Sequence, residues 1–167
     1  HDGNALQFGG NAYVDTGASL VDTAAGNYTV AAWVRMDDLN GFQTAVSQDG
    51  ESSSGYFLQY SDQDDRFAFS FVGVRALAPA PPVPGQWYHL VGVRDAAAGT
   101  LKLYVDGALA GSTSACLGTQ ATGNTVIGRA KFGGNQVDFW HGAIDQVHVY
   151  DRALTDAEVT ELYSSGR

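Results

Sequence analysis

Cysteine is almost missing from the 167-residue chain. Cys116 stands alone, which excludes an intrachain disulfide and a cysteine-ligated zinc site. With no reactive pattern beside it, the thiol reads as a small apolar side chain. Glutamate is scarce as well: only Glu51, Glu158 and Glu161 occur among the 18 acidic residues. Aspartate favours turns and caps where glutamate favours helix surface, so the bias points to a loop-rich, helix-poor chain. Cationic charge is in deficit, with 9 Lys and Arg, a net charge of −9 and a pI near 4.5. That deficit excludes nucleic acid and anionic membrane surfaces as partners, since both need a basic footprint. No run approaches the ~18–20 apolar residues of a membrane span. The start, His1-Asp2-Gly3, carries no Met, no basic region and no apolar core of signal-peptide type, as expected of a mature fragment or a module cut from a longer polypeptide.

What is present is apolar and punctuated by turns. Hydrophobic residues make up 44% and charged residues 16%, too much and too little for disorder, and the length suits one domain spanning 1–167. Short β-type runs recur. In Tyr28 to Arg35 the even positions are all apolar and the odd ones mixed, predicting a strand with one core face and one partly covered face. Phe67, Phe69 and Phe71 share a face at period two, and Ser61 to Asp65 is a polar hairpin turn between two strands. Asp106-Gly107 marks another tight turn. All four prolines fall in Ala78–Gly85, an extended loop without ladder bonds. Only the last segment reads as a helix: Thr155-x-x-Glu158 is a capping box, Leu154 and Val159 form a hydrophobic staple, and Gly166 stands at the stop. A dozen short strands and one late helix predict an all-β, two-sheet antiparallel sandwich. Its core is expected to hold Phe8, Val30, Trp33 or its neighbours, Phe69, Leu103, Ile144 and Val147.

The sequence carries no coherent catalytic constellation. A glycosidase needs two placed carboxylates, yet Glu158 and Glu161 lie on the helix, Glu51 stands alone in a Gly/Ser loop, and Asp62, Asp64 and Asp65 occupy a turn. Neither a G-x-S-x-G elbow nor a phosphate-binding Gly-Lys-Ser/Thr loop occurs. The four histidines show no close metal-ligand spacing. Along Trp140 to Val149 the apolar phase slips after Ile144, which predicts a bulge at Asp145-Gln146. Two readings stand for Asp145: it bonds local backbone N–H groups, or it holds a structural Ca²⁺ together with Asp2 and Asn4.

These pieces, in this order, resemble the laminin-G-like, concanavalin-A-like jelly-roll domains, particularly the bacterial type related to pentraxins. The resemblance is carried by Ala5-Leu-Gln-Phe-Gly-Gly-Asn-Ala-Tyr-Val14, Tyr28-Thr-Val-Ala-Ala-Trp-Val34, Trp87-Tyr-His-Leu-Val91, Leu103-Tyr-Val-Asp-Gly107 and Val126-Ile-Gly-Arg129. Strongest is Gly142-Ala-Ile-Asp-Gln-Val-His-Val-Tyr-Asp-Arg-Ala-Leu154 with the helix after it. It implies a jelly roll and a secreted, extracellular module, often appended to polysaccharide-degrading enzymes, that binds glycans or protein surfaces without catalysis. Where pentraxins place calcium-binding acids this chain has Ser53-Ser54-Gly55 and Arg129-Ala130-Lys131, so their calcium-bridged ligand site is not carried over. Ala31 and Leu90 stand where the pentraxin cysteines would fall.

The expected function is therefore a non-catalytic carbohydrate-binding module of a secreted, bacterial, polysaccharide-active protein, monomeric and tethered to a catalytic domain. The rival is an extracellular protein-interaction or adhesion module of laminin-G type. Sugar sites combine an aromatic platform with polar groups, because pyranoses have apolar faces and hydroxyl edges. The candidates are Gln48 and Asp49 in one loop, Arg129, Lys131, Phe132 and Asn135 in another, and Trp140 at its edge. Trp140 also shares the phase of Ile144, as a core residue would, and Arg129 could equally form a surface ion pair with one of the many aspartates.

Overall fold

The structure, a computed structural model, describes residues 4–166, which form fourteen strands and one helix. In chain order these are β1 (Leu6–Gly9), β2 (Val14–Asp15), β3 (Tyr28–Met36), β4 (Gln43–Gln48), β5 (Phe57–Ser61), β6 (Arg66–Phe71) and β7 (Val74–Leu77). There follow β8 (Trp87–Asp95), β9 (Thr100–Val105), β10 (Ala108–Ser114), β11 (Thr125–Ile127), β12 (Ala130–Phe132), β13 (Asn135–Val137), β14 (His141–Tyr150) and α1 (Asp156–Ser165). Two six-stranded antiparallel sheets result, β1-β14-β3-β8-β9-β10 and β2-β11-β4-β5-β6-β7, with β12 and β13 as a separate ribbon. This is the predicted sandwich with its single C-terminal helix.

Period two decides what lies between the sheets. Val30, Ala32, Val34 and Met36 of β3 face Leu58 and Tyr60 of β5 and the three phenylalanines of β6, with Phe8, Leu90, Leu103, Trp140 and Ile144 in the same cluster. The sheets approach so closely that a Cβ on Gly92 would lie 2.3 Å from the Phe69 ring, so only glycine fits opposite that phenylalanine. The turn at Asp106-Gly107 has φ of 51° and 81°, the paired left-handed geometry of a two-residue hairpin loop.

The odd positions of β3 face the other way. Ala31 with Val91, Val93 and Tyr104 forms a second cluster beneath Leu154 and Val159, the staple residues of α1. The capping box is present in full, Thr155 accepting from Glu158 N and Glu158 from Thr155 N. Of Trp33 and its neighbours, Ala32 and Val34 lie between the sheets, while Trp33 belongs to this outer layer: its indole stacks on Tyr163 at 5.5 Å and lies 5.1 Å from His89. Helix cover, rather than the opposite sheet, excludes water from it. Gly166 ends the helix with φ −90°, not left-handed; a Cβ there would meet Trp33 and Gln146 at 2.7 and 2.8 Å.

The predicted bulge is present. Asp145 pairs with Trp33 and His148 with Ala31, leaving one extra residue on β14, and Gln146 takes φ 46°. The slip turns Val147 toward the core, where it is half-buried rather than enclosed.

Burial beneath the helix, with a smaller contribution from His148, pushes the His89 imidazole down to about 4. An unfolded histidine takes up its proton near 6.5, so stability is full above that pH and falls as pH drops toward 4. The loss at pH 4.5 is expected to be about 2–3 kcal/mol. Urea midpoints of wild type and His89→Phe at pH 7 and 4.5 check this: the variant should lose most of the difference.

Candidate functional site

On β5 the alternation that sends Leu58 and Tyr60 inward sends Phe57 and Gln59 to the outer face of the second sheet. That face is a row of small and polar groups. Thr44 Oγ1 donates to Gln59 Oε1 at 3.3 Å, and Gln59 Nε2 donates to Ser70 Oγ at 3.2 Å, which fixes the amide across three strands. The β12–β13 ribbon overhangs this surface and leaves a groove of about 410 Å³. Its floor is Phe57 and Gln59; Phe42 and Gln63 lie toward one end, Val72 and Gly73 at the other, and Phe132, Val137 and Asp138 form the wall. Arg75 reaches in from β7, pairs with Asp64 at 3.5 Å and lies 5.6 Å over the Phe42 ring.

Asp138 is the unusual member. Its backbone is left-handed at φ 56°, a strained state for a residue other than glycine, and it is held there by its carbonyl, which accepts from Thr44 N at 2.8 Å. Among the described residues its carboxylate has no hydrogen-bond or ion-pair partner, and burial alone pushes it up to about 6. A half-buried, unsatisfied acceptor beside exposed aromatic surface is what a ligand rich in hydroxyl donors would complete.

The ribbon is positioned by the residues that looked like ligand contacts. Arg129 donates to both oxygens of Asp49, each at 2.8 Å, and stacks 4.2 Å over the Tyr13 ring with its side chain 3% exposed. Lys131 Nζ donates to Gly50 O, Lys131 N to Ser54 Oγ, and Ser54 N to Lys131 O. The segment from Arg129 to Gln136 is thus a hairpin locked to the Asp49–Gly55 loop, not an irregular binding loop. Arg129 pairs with Asp49, as its ion-pair alternative had it, but buried rather than on the surface, and Lys131 is bonded to Gly50 and Ser54 of the same loop.

Two candidates are corrected outright. Gln48 is fully buried; its Oε1 accepts from Leu20 N, Val21 N and Thr125 Oγ1, and its Nε2 donates to Ser19 Oγ, Val21 O and Ala121 O. Trp140 is fully buried between the sheets, its Nε1 donating to Arg35 O at 3.3 Å. Neither meets solvent. Asn135 is exposed near the ribbon tip, donating to Gly133 O, and only Phe132, 53% exposed, lies on the groove. Phe42, Phe57, Gln59, Gln63, Arg75 and Asp138 were missed by sequence reasoning. The outward phase of Phe57 and Gln59 was the available signal. Of the calcium candidates, Asp145 accepts from Gln146 N at 2.8 Å, the local bond of the first reading; Asn4 is exposed, and Asp2 lies outside the described residues. Among the described residues no three His, Cys, Asp or Glu side chains gather to hold a metal.

Solved structures share this architecture. The heptameric SAP-like pentraxin of Limulus polyphemus matches with a TM-score of 0.76 at 19% identity, covering 95% of this chain and 81% of that one. The CBM40 of the Ruminococcus gnavus IT-sialidase, bound to α2,3-sialyllactose, gives 0.78 at 14%, covering 95% and 96%. Domain 4 of an extracellular arabinanase from Geobacillus stearothermophilus, in complex with arabinotriose, gives 0.69 at 20%, covering 95% and 76%. No curated protein sequence matches the chain. A family model described as the concanavalin A-like lectin/glucanases superfamily matches residues 8–160, and the chain belongs to that superfamily.

Proposed function

We propose that this chain is a non-catalytic carbohydrate-binding module of a secreted, polysaccharide-active protein, acting as a monomer and taking its glycan in the groove beneath the β12–β13 ribbon. The observation that carries the reading is Asp138, a carboxylate without a partner among the described residues, set beside the exposed Phe132 ring above a floor that includes Phe57. Apolar sugar faces stack on such rings while hydroxyl pairs donate to the acid. Two structural relatives, the arabinanase domain and the sialidase CBM40, hold oligosaccharides, which supports the same ligand class here. Among the described residues Asp138 is the one carboxylate lining the groove, and the neighbouring Asp64 is engaged with Arg75, so these residues do not assemble there the pair of carboxylates that glycoside hydrolysis needs.

Affinity electrophoresis against neutral and acidic polysaccharides tests the reading. Retardation in at least one glycan, weakened at least tenfold by Phe132→Ala, is the expected result. Phe132 is exposed, so the melting temperature should hardly move. Indifference to every glycan would favour protein recognition instead. A structural Ca²⁺ at Asp145 with Asp2 and Asn4 is a separate proposal. Chelation would then lower stability by roughly 2.7 kcal/mol at one hundred times Kd and leave glycan affinity unchanged. Melting and binding curves with calcium and with EDTA read both effects.

A further inference from the structure

We infer that the groove selects uncharged sugar units and rejects those carrying a carboxylate or sulfate, with Asp138 as the residue that sets the preference; this rests on the groove being the glycan site. Among the described residues its charged lining consists of Arg75 and Asp138. The Arg75 guanidinium is matched by Asp64 at 3.5 Å, which leaves the Asp138 charge uncompensated. The other cations near the ribbon are committed elsewhere, Arg129 to Asp49 and Lys131 to Gly50 O. An ionised carboxylate accepts hydrogen bonds and donates none, so it complements the hydroxyls of a neutral sugar and repels an acidic one. Half-burial beside Phe132 and Val137 strengthens that repulsion, and the net charge of −9 adds to it at longer range.

The same carboxylate makes the preference switchable. Burial holds Asp138 up to about 6, so its charge is present at pH 7.5 and mostly gone at pH 5. The titratable groups around it are the Arg75–Asp64 pair, Lys131 at the ribbon base, and the His141–Asp38 pair, whose His141 N donates to Gln43 on β4. Asp138→Asn removes the charge and suits the backbone, because asparagine tolerates the left-handed region better than most residues.

The test pairs a neutral polysaccharide that retards the protein with the same polymer oxidised to the carboxylate at C6, and with the methyl ester of that product as an uncharged control. At pH 7.5 and 150 mM salt the oxidised polymer should bind at least tenfold more weakly than the ester. The ratio should fall within threefold at pH 5, and in Asp138→Asn at either pH, while His141→Gln leaves it unchanged. Oxidised polymer bound as tightly as the ester at pH 7.5, or a ratio that ignores both pH and Asp138→Asn, overturns the selectivity and leaves the groove as a glycan site. A ratio that follows pH in Asp138→Asn but not in His141→Gln assigns the switch to His141 and overturns the role of Asp138. A wild-type protein that no polysaccharide retards overturns the groove reading and the selectivity with it.

Discussion

Asp49→Ala is expected to lower the stability of the domain by about 3–5 kcal/mol, a large effect for an acid on a connecting loop. The reason is its partner. Arg129 is 3% exposed, with both carboxylate oxygens at 2.8 Å and the Tyr13 ring 4.2 Å beneath its guanidinium. Deleting the carboxylate strands a cation where water does not reach it. The Arg129 Nε already has no partner among the described residues, so the site has little capacity to compensate. Removing both members, as in Asp49→Ala with Arg129→Met, should recover most of the loss, because a buried pair is often close to neutral against apolar replacements. Glycan affinity should fall in the single variant beyond what unfolding explains, since the ribbon carrying Phe132 hangs on this contact. Urea titrations with an unchanged slope report the stability difference directly. A shift under about 0.5 kcal/mol would show that Arg129 finds solvent without Asp49, and the pair would lose its role as the anchor of the ribbon.

Trp140→Ala should cost a comparable about 3–5 kcal/mol, by opening a cavity in the middle of the sandwich. The indole is fully enclosed, packs in the cluster with Phe8 and Ile144, and donates to Arg35 O. Trp140→Phe, which refills most of the volume and forfeits that hydrogen bond, should cost visibly less and leave glycan binding intact at 25 °C. Binding lost in Trp140→Phe while the melting temperature stays put would return the residue to the ligand site.

Much of the fold was legible because it follows from period two. The phenylalanines of β6, the even positions of β3, the slip after Ile144 and the Thr155–Glu158 box each translate into a face, a bulge or a cap without reference to distant residues. Trp33 shows where that ends: alternation says which side of a strand a residue takes, but not that a helix 120 residues later will cover the far side. The groove was harder for the same reason. Its floor, wall and ends come from β5, the ribbon, and the β5–β6 and β6–β7 turns, which only tertiary folding brings together. Polar residues at loop positions were expected to meet a ligand, yet Asp49 and Arg129 pair with each other, and Gln48 is taken up by Ser19, Thr125 and the backbone. Composition shows that a polar group needs a partner, and the fold decides whether that partner is internal. Asp138 carried no sequence signal at all, since neither its left-handed backbone nor its desolvation can be read from one aspartate between Val137 and Phe139.

The two sheets are unequal in what covers them. Helix α1 closes the outer face of the first sheet over Ala31, Val91 and Tyr104, while the second sheet keeps its outer face for the groove. Strand β1 and the end of α1 both belong to the first sheet's side, with Gly166 against Trp33. A linker, surface or reporter joined beyond β1 or α1 is therefore anchored on the first sheet, not on the sheet that carries the groove. Because the groove belongs to the other sheet, immobilised or fused forms should capture glycan as readily as the protein in solution.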